Sequence, residues 1–346
     1  MSPSVPKYDA SQWEAKFTVK YRDTPIKLVR HKRTGIHLCL VEVQSPTVHG
    51  YISVHTEATD DYGCPHTLEH LVFLGSKRYP YKGVLDLLAN QCLAQGTNAW
   101  TDVDNTTYTV ETAGAEGFLN IFPVYMDHLL FPTLTDSGFA TEIHHIDKDG
   151  KDAGVVYCEM QGRENEMGDI MEYRKRHMLF SDKNLSLKAE TGGRLKELRD
   201  ITNRRIQNFH KEYYAPHNMC AVVTGMVQME DVCARLQAVL EHASDAPSPL
   251  PARPFHGAGI EVLKQSKFER VPFPSEDEES GGSVSLSWHG PEWADRERYV
   301  ASSMLLTYLT KDSVSPLAQR FVESGSGEGE NGGESGGESG GESGGE

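Results

Sequence analysis

Two histidines and a glutamate crowd five positions, His66-Thr67-Leu68-Glu69-His70, inside the stretch GCPHTLEHLVFLGS. On a helix, His66, Glu69 and His70 stand at i, i+3 and i+4 and project from one face. Leu68, Leu71 and Val72 fall largely on the other side, where they can pack against a sheet. Two neutral imidazoles at that spacing can bind one Zn²⁺ through ring nitrogens at about 2.0–2.1 Å. The glutamate is then beside the open coordination position, not on the metal. There it can take a proton from a water whose pKa the metal lowers to about 7. The chemistry is hydrolysis: attack on a peptide carbonyl, then delivery of the proton to the leaving amine. The neighbouring pair His144-His145 has no such base and lies in polar sequence, so it receives no role.

Elements must hold this constellation in place. Pro65 stands where the first helical residue belongs and Gly75 ends the apolar period, so 65–74 reads as a short helix. Alternation predicts strands at 36–42 and 48–56, joined by the turn-like VQSPT. KGVLDLLANQCL predicts a second helix, and NAWTDVDNTTYTVETAG two strand segments turning at Asp102 to Asn105. An apolar helix over 115–132 is expected to be interrupted near Pro123, followed by a polar surface connection at 133–152. The stretch 153–180 reads as one long helix with Glu159, Arg163 and Glu166 near one side. TNRRIQNFHKEYYAP (helix), NMCAVVTGMV (buried strand) and MEDVCARLQAVLEHA (amphipathic helix) complete the first part. Beyond the Pro-rich SDAPSPLPARPFHGAG, GSVSLSWHGP predicts a strand and ERYVASSMLLTYLT a helix.

The whole chain of 346 residues is 38% apolar and 24% charged, which suits a soluble globular protein. Its formal charge of −16 includes six glutamates in the Gly/Ser/Glu repeat after Ser324, which leaves −10 on the body. That repeat carries no apolar residue and is expected to be disordered. An acidic body without a basic patch argues against nucleic acid and anionic membranes as partners. No apolar run reaches the length of a bilayer span, and the start MSPSVPKYDASQWEAKF reads as neither a secretory signal nor a transit peptide. The six cysteines lack paired spacing and read as reduced core thiols of a cytoplasmic protein. No phosphate loop, Ser-His-Asp or Cys-His arrangement fits the chain as economically.

H-x-x-E-H is the inverted zincin motif. With its surroundings it makes residues 20–323 resemble the pitrilysin/insulysin family of zinc metallopeptidases, in its presequence-protease-like branch. The blocks that carry the resemblance are PHTLEHLVFLGS, NAWTDVDNTTYTV, GVVYCEMQGRENEM, FHKEYYAPHNMCAVVTG and VPFPSEDEESGGSVSLSWHGP. The resemblance implies an α+β, processing-peptidase-like (LuxS/MPP-like) metallohydrolase domain: a mixed, mostly antiparallel sheet with helices packed on one face. It implies one zinc ion per chain and a third protein ligand, a glutamate from a later helix. Glu142, Glu159, Glu164 and Glu166 are candidates; the match of GVVYCEM to the ligand-bearing stretch picks Glu159. Glu164 and Glu166 are candidates to orient the histidines by accepting their far N–H, or are simple exposed carboxylates. Asn98 and Ala99 match the segment that such enzymes use to hold substrate, by adding an extended peptide to a strand edge. Trp100 could line that pocket or pack in the core.

The resulting expectation is a zinc-dependent metalloendopeptidase acting on unstructured peptides. Its parts are an N-terminal extension (1–19), the zinc domain (20–243), a Pro-rich linker (244–259), a truncated second domain of the same family (260–323) and the tail (324–346). In the family a second half supplies groups that position substrate, so a complementary C-terminal half is the implied partner. Two alternatives stand beside active peptidase: a zinc-binding but catalytically weak remnant, and a non-enzymatic peptide-binding scaffold. A mitochondrial or plastid matrix is the alternative to the cytoplasm, because presequence-degrading relatives work in organelles.

Overall fold

A computed structural model of the chain describes residues 7–247, 259–261, 263–274 and 281–323. The tail at 324–346 and most of the Pro-rich linker lie outside the described residues. The chain divides into two compact units, Met1–Val284 and Ser285–Glu346, so the described residues between 259 and 284 group with the first.

The first unit opens with a hairpin of β1 (Trp13–Tyr21) and β2 (Thr24–His31), so the sheet begins inside the segment expected to be an extension. Next come β3 (His37–Val41), β4 (Thr47–His55), β5 (Asn98–Thr101) and β6 (Asn105–Ala113). A small separate hairpin pairs β7 (His145–Ile146) with β8 (Asp152–Ala153), and β9 (Met219–Thr224) returns to the main sheet. Among the described residues the main sheet has seven strands in the order β1-β2-β3-β9-β4-β6-β5. Only its β3–β9 pair is parallel. The fold is thus α+β with a mostly antiparallel sheet.

The pleat sends alternate residues to opposite faces. Leu38, Leu40, Val48, Ile52, Tyr108, Val110, Ala221 and Val223 point to one side and are fully buried. Helices cover that side: α1 (Cys64–Val72), α2 (Val84–Gln91) and α3 (Ala115–Leu130) come before β7. Leu68, Leu71 and Val72 of α1 and Phe118, Ile121, Phe122, Tyr125 and Met126 of α3 belong to the same core. At about 1.5–3 kcal/mol for each fully buried large apolar side chain, this layer fixes the orientation of α1. α3 runs through Pro123 without the expected interruption. Ile121, Phe122, Val124 and Tyr125 are buried around the proline, and that packing outweighs the ~3 kcal/mol that an interior proline costs.

The polar connection at 133–152 is more structured than the sequence suggests. It forms α4 (Asp136–Glu142), capped by the Thr135 hydroxyl accepting from the Gly138 N–H at 3.1 Å, and the β7–β8 hairpin. Ile143 is fully buried. The long helix expected over 153–180 is two: α5 (Val155–Glu164) and α6 (Met167–Leu179). Glu166 between them is extended, with φ −71° and ψ 134°. The Glu164 carboxylate accepts from Arg194 and from the Leu195 N–H, both at 2.9 Å, which pins the end of α5 to the following segment. After α7 (Leu185–Lys188) and α8 (Leu195–Asp200), α9 (Asn203–Tyr213) leads into β9 and α10 (Met229–Leu240) closes the helical layer.

In the second unit α11 (Arg296–Thr310) starts at Asp295, whose carboxylate accepts from the Arg298 N–H at 3.2 Å, and a short α12 (Pro316–Ala318) follows. The strand predicted within 282–291 is absent: 281–290 is irregular, and Val284, Leu286 and Trp288 are exposed. A strand needs a neighbour for its amides and carbonyls, and among the described residues none pairs with this segment.

Candidate metal centre

α1 enters through Gly63 in the left-handed region at φ 67°, with Pro65 in the first turn. A Cβ at Gly63 would stand 2.6 Å from the Gly193 Cα and 2.7 Å from the Gly192 carbonyl oxygen, so glycine is required twice over, by φ and by space. The close approach has a consequence for His66. Its Nδ1 is 3.3 Å from the Gly192 carbonyl oxygen and donates to it, which leaves Nε2 as the lone-pair nitrogen.

That nitrogen faces the second imidazole. The Nε2 atoms of His66 and His70 are 3.2 Å apart, with the rings edge to face. Glu159, on the second turn of α5, brings Oε2 to 3.5 Å from His66 Nε2 and 3.6 Å from His70 Nε2. Glu159 is thus brought to the two histidines, and the three donor atoms form a compact cluster. A tetrahedral ion with bonds of about 2.0–2.2 Å separates its ligand atoms by about 3.4 Å. The donor spacing fits such an ion, and two imidazoles with one carboxylate are a zinc-type set that leaves a fourth position open.

Glu69 does not join the cluster. Its residue is only 9% exposed, and its Oε2 accepts a short 2.6 Å hydrogen bond from the Thr101 hydroxyl at the end of β5. Burial pushes the Glu69 pKa up; the Thr101 and His66 contacts pull it partly back, and Glu159 adds to the rise. Burial works to lower His66, but Glu159, Glu69 and the Gly192 carbonyl outweigh it and the net shift is upward. His70 is lowered by burial and by His66. The His66 imidazole, 3.5 Å from Glu159 Oε2, holds the Glu159 pKa below its ordinary value, against the opposing effect of burial.

The other sequence-selected residues fall in two groups. Asn98 and Ala99 lie on β5, at the end of the sheet order, and among the described residues nothing pairs with its outer edge. Trp100 is exposed and meets Tyr51 edge to face at 6.4 Å, on the sheet face away from the core. Glu164 is occupied by Arg194 and the Leu195 N–H, and Glu142 by Lys82 at 2.8 Å. Glu166 heads α6 without capping it. The far nitrogen of His66 meets the Gly192 backbone carbonyl instead of Glu164 or Glu166. His144 bonds Asp152 at 2.6 Å, beside Arg199 and Tyr157. Thr101 and Gly192 were missed by sequence reasoning; both act across long sequence separations, and only the nearness of Thr101 to Asn98 and Ala99 offered a clue.

This geometry defines a class: a helix-borne two-histidine, one-carboxylate centre with a buried glutamate alongside, on a helix-backed α+β sheet. Residues 53–159 match the family described as insulinase (peptidase family M16), and residues 200–338 match the peptidase M16 inactive domain. The chain belongs to this pitrilysin (M16) family, as a peptidase-like protein. It is 45% identical to an uncharacterized protein of Caenorhabditis elegans, over 90% of this chain and 31% of that protein. A mitochondrial presequence protease of Gibberella zeae is 29% identical over 86% of this chain and 30% of its own length. The crystal structure of pitrilysin shares the fold, with a TM-score of 0.53 at 18% identity, over 70% of this chain and 24% of that one. The chain spans about a third of the length of the curated relatives it matches. Among the described residues no helix is long and apolar enough to cross a membrane.

Proposed function

We propose that the chain carries the metal centre of a zinc-dependent metalloendopeptidase that hydrolyses unstructured peptides. The observation that carries this reading is the convergence of His66 Nε2, His70 Nε2 and Glu159 Oε2 at 3.2–3.6 Å, with Glu69 held off the cluster by Thr101. His66, His70 and Glu159 would hold one Zn²⁺. When bound, the ion supplies Lewis acidity that makes water a better proton donor and polarises a carbonyl. Glu69 accepts the proton of the attacking water and passes it to the leaving nitrogen, a role its raised pKa suits. The open edge of β5, with Asn98 and Ala99, receives an extended peptide by main-chain pairing, which favours chains without fixed structure. A complementary C-terminal half is the partner proposed to close over the substrate. We place the reaction in the cytoplasm, with an organelle matrix as the alternative, since the Gibberella zeae relative is named mitochondrial.

Zinc content and cleavage of a quenched fluorescent peptide, measured on the chain and on Glu69→Gln, test the proposal. Expected are one zinc per chain in both proteins, with cleavage by the wild type alone and loss of it on chelation. Stoichiometric zinc without cleavage by the wild type would instead support the zinc-binding remnant or the peptide-holding scaffold.

A further inference from the structure

A cavity of about 350 Å³ opens between α5, α6, the Gly192–Gly193 loop and the segment at 269–272. We infer that it is a subsite for a carboxylate carried by the bound peptide, received by Arg270. The inference deepens the peptidase reading and rests on it for the identity of the ligand.

Arg163, on the cavity wall, lies one turn of α5, about 5.4 Å, beyond the cluster residue Glu159. Gly193, also on the wall, follows the residue whose carbonyl receives the His66 proton. At about 3.3 Å per extended residue, a peptide held at the metal centre reaches the cavity within about two or three positions. A volume near the lower limit of small-ligand sites, ~300 Å³, suits one side chain or one chain end.

The charges lining the cavity select the ligand. Four arginines and four acidic residues line the cavity. Every one of those carboxylates already has a base: Asp169 has Arg163 at 2.9 Å, Glu164 has Arg194 at 2.9 Å, and Glu269 has Arg174. Glu190 accepts from Arg176, outside the lining, at 2.7 Å. Arg270 is left without an acidic partner among the described residues, in a chain whose overall charge is −16. Other polar capacity is also spent: the Tyr173 hydroxyl donates to Asp61 at 2.9 Å, and the Arg194 guanidinium lies 4.7 Å over the Tyr173 ring. Met160, Ile170, Val271 and Pro272 supply apolar wall for the carbon stem of a side chain. The segment that carries Arg270 is tied to the same unit through Lys267 to the Met178 carbonyl at 2.9 Å and Asn184 to the Gly259 carbonyl at 3.1 Å. A guanidinium whose neighbours are satisfied is preset for a carboxylate, which it can meet with two parallel N–H donors.

Binding of fluorescent peptides to zinc-loaded Glu69→Gln chain, read by anisotropy, tests this without turnover. One peptide carries an internal glutamate and an amidated end, the second replaces that glutamate by glutamine, and the third is the glutamine peptide with a free C-terminus. Either carboxylate peptide should bind roughly tenfold more tightly than the neutral one; which of them does so identifies side chain or chain end as the source. Adding Arg270→Gln should bring it to the neutral affinity with an unchanged melting temperature, and Arg270→Glu should invert the preference towards a lysine-bearing peptide. Equal affinities for all three peptides, or a preference that survives Arg270→Gln, overturns the subsite. The peptidase reading fails separately: wild-type chain that binds with the Arg270-dependent preference but cleaves nothing keeps the subsite and loses the activity.

Discussion

Thr101→Val isolates the contact that holds the proposed base. The Thr101 hydroxyl donates to Glu69 Oε2 at 2.6 Å, the length of a charge-assisted O–H···O⁻ bond. Valine keeps the shape of the side chain and removes only the donor. Hydrogen bonds to charged groups contribute about 1.5–3 kcal/mol. Because Thr101 stands on an edge strand and is only partly buried, the lower figure applies, and ~1.5 kcal/mol corresponds to about a tenfold effect. The direction follows from the anion: burial already raises the Glu69 pKa and Thr101 opposes that rise, so its loss moves the pKa further up. The acid limb of kcat/KM should shift to higher pH. Below the limb the variant should be about tenfold slower, and above it the two rates should converge. Stability gives a second readout in the metal-free chain. A carboxyl whose folded pKa is raised above its unfolded value loses stability as pH rises through that value, because the native state binds more protons. Valine deepens the loss, so its melting temperature should fall about 3–6 °C below wild type at pH 8 and by less at pH 4. An acid limb that stays in place or moves down refutes the assigned role of Thr101.

Glu159→Gln should weaken zinc binding by roughly 10²–10³-fold, its share of the ~10–16 kcal/mol released by a four-ligand zinc site; chelator competition reads this, and undiminished affinity removes Glu159 from the ligand set. Gly63→Ala places a Cβ 2.6 Å from the Gly193 Cα at φ 67°. It should cost at least ~2 kcal/mol in denaturant unfolding and weaken zinc by about 10–100-fold through the displaced Gly192 carbonyl, whereas wild-type stability would disprove the close approach. Arg199 and then His144 hold the Asp152 carboxyl well below its ordinary range. A depressed carboxylate contributes stability above its unfolded pKa and loses it as pH falls. Asp152→Asn should therefore flatten the acid side of a melting-temperature profile and lie below wild type at pH 7; parallel profiles would remove Asp152 from that role.

What could be read from the chain alone divides by sequence distance. His66, Glu69 and His70 were legible because a helix converts spacing into a shared face, and α1 lies where Pro65 and the apolar period put it. Glu159 was one of four carboxylates until resemblance chose it, since no local rule links it to a helix far upstream. The β1–β2 hairpin was missed because most residues of β1 are exposed, which dilutes the alternation that marks a half-buried strand. At 282–291 the opposite happened: the alternation is present, but pairing depends on a neighbour that the pattern does not specify. The break at Glu166 and the intact helix through Pro123 were likewise decided by tertiary contacts, the first by Arg194 and the second by buried neighbours.

The same division explains how the site is built. The histidine pair proposed to bind the metal comes from one turn of helix, so it needs no long-range contact to be formed. What would make it selective arrives from elsewhere: Gly192 orients His66 from the α7–α8 connection, and Thr101 holds Glu69 from β5. β5 is also the strand whose outer edge carries Asn98 and Ala99. A peptide paired along that edge would order the strand that holds the base, because main-chain bonds to β5 restrict the backbone from which the Thr101 hydroxyl projects. In the proposed reaction, substrate binding and base alignment would therefore be coupled through four residues of one edge strand, and a defect in either should appear in both.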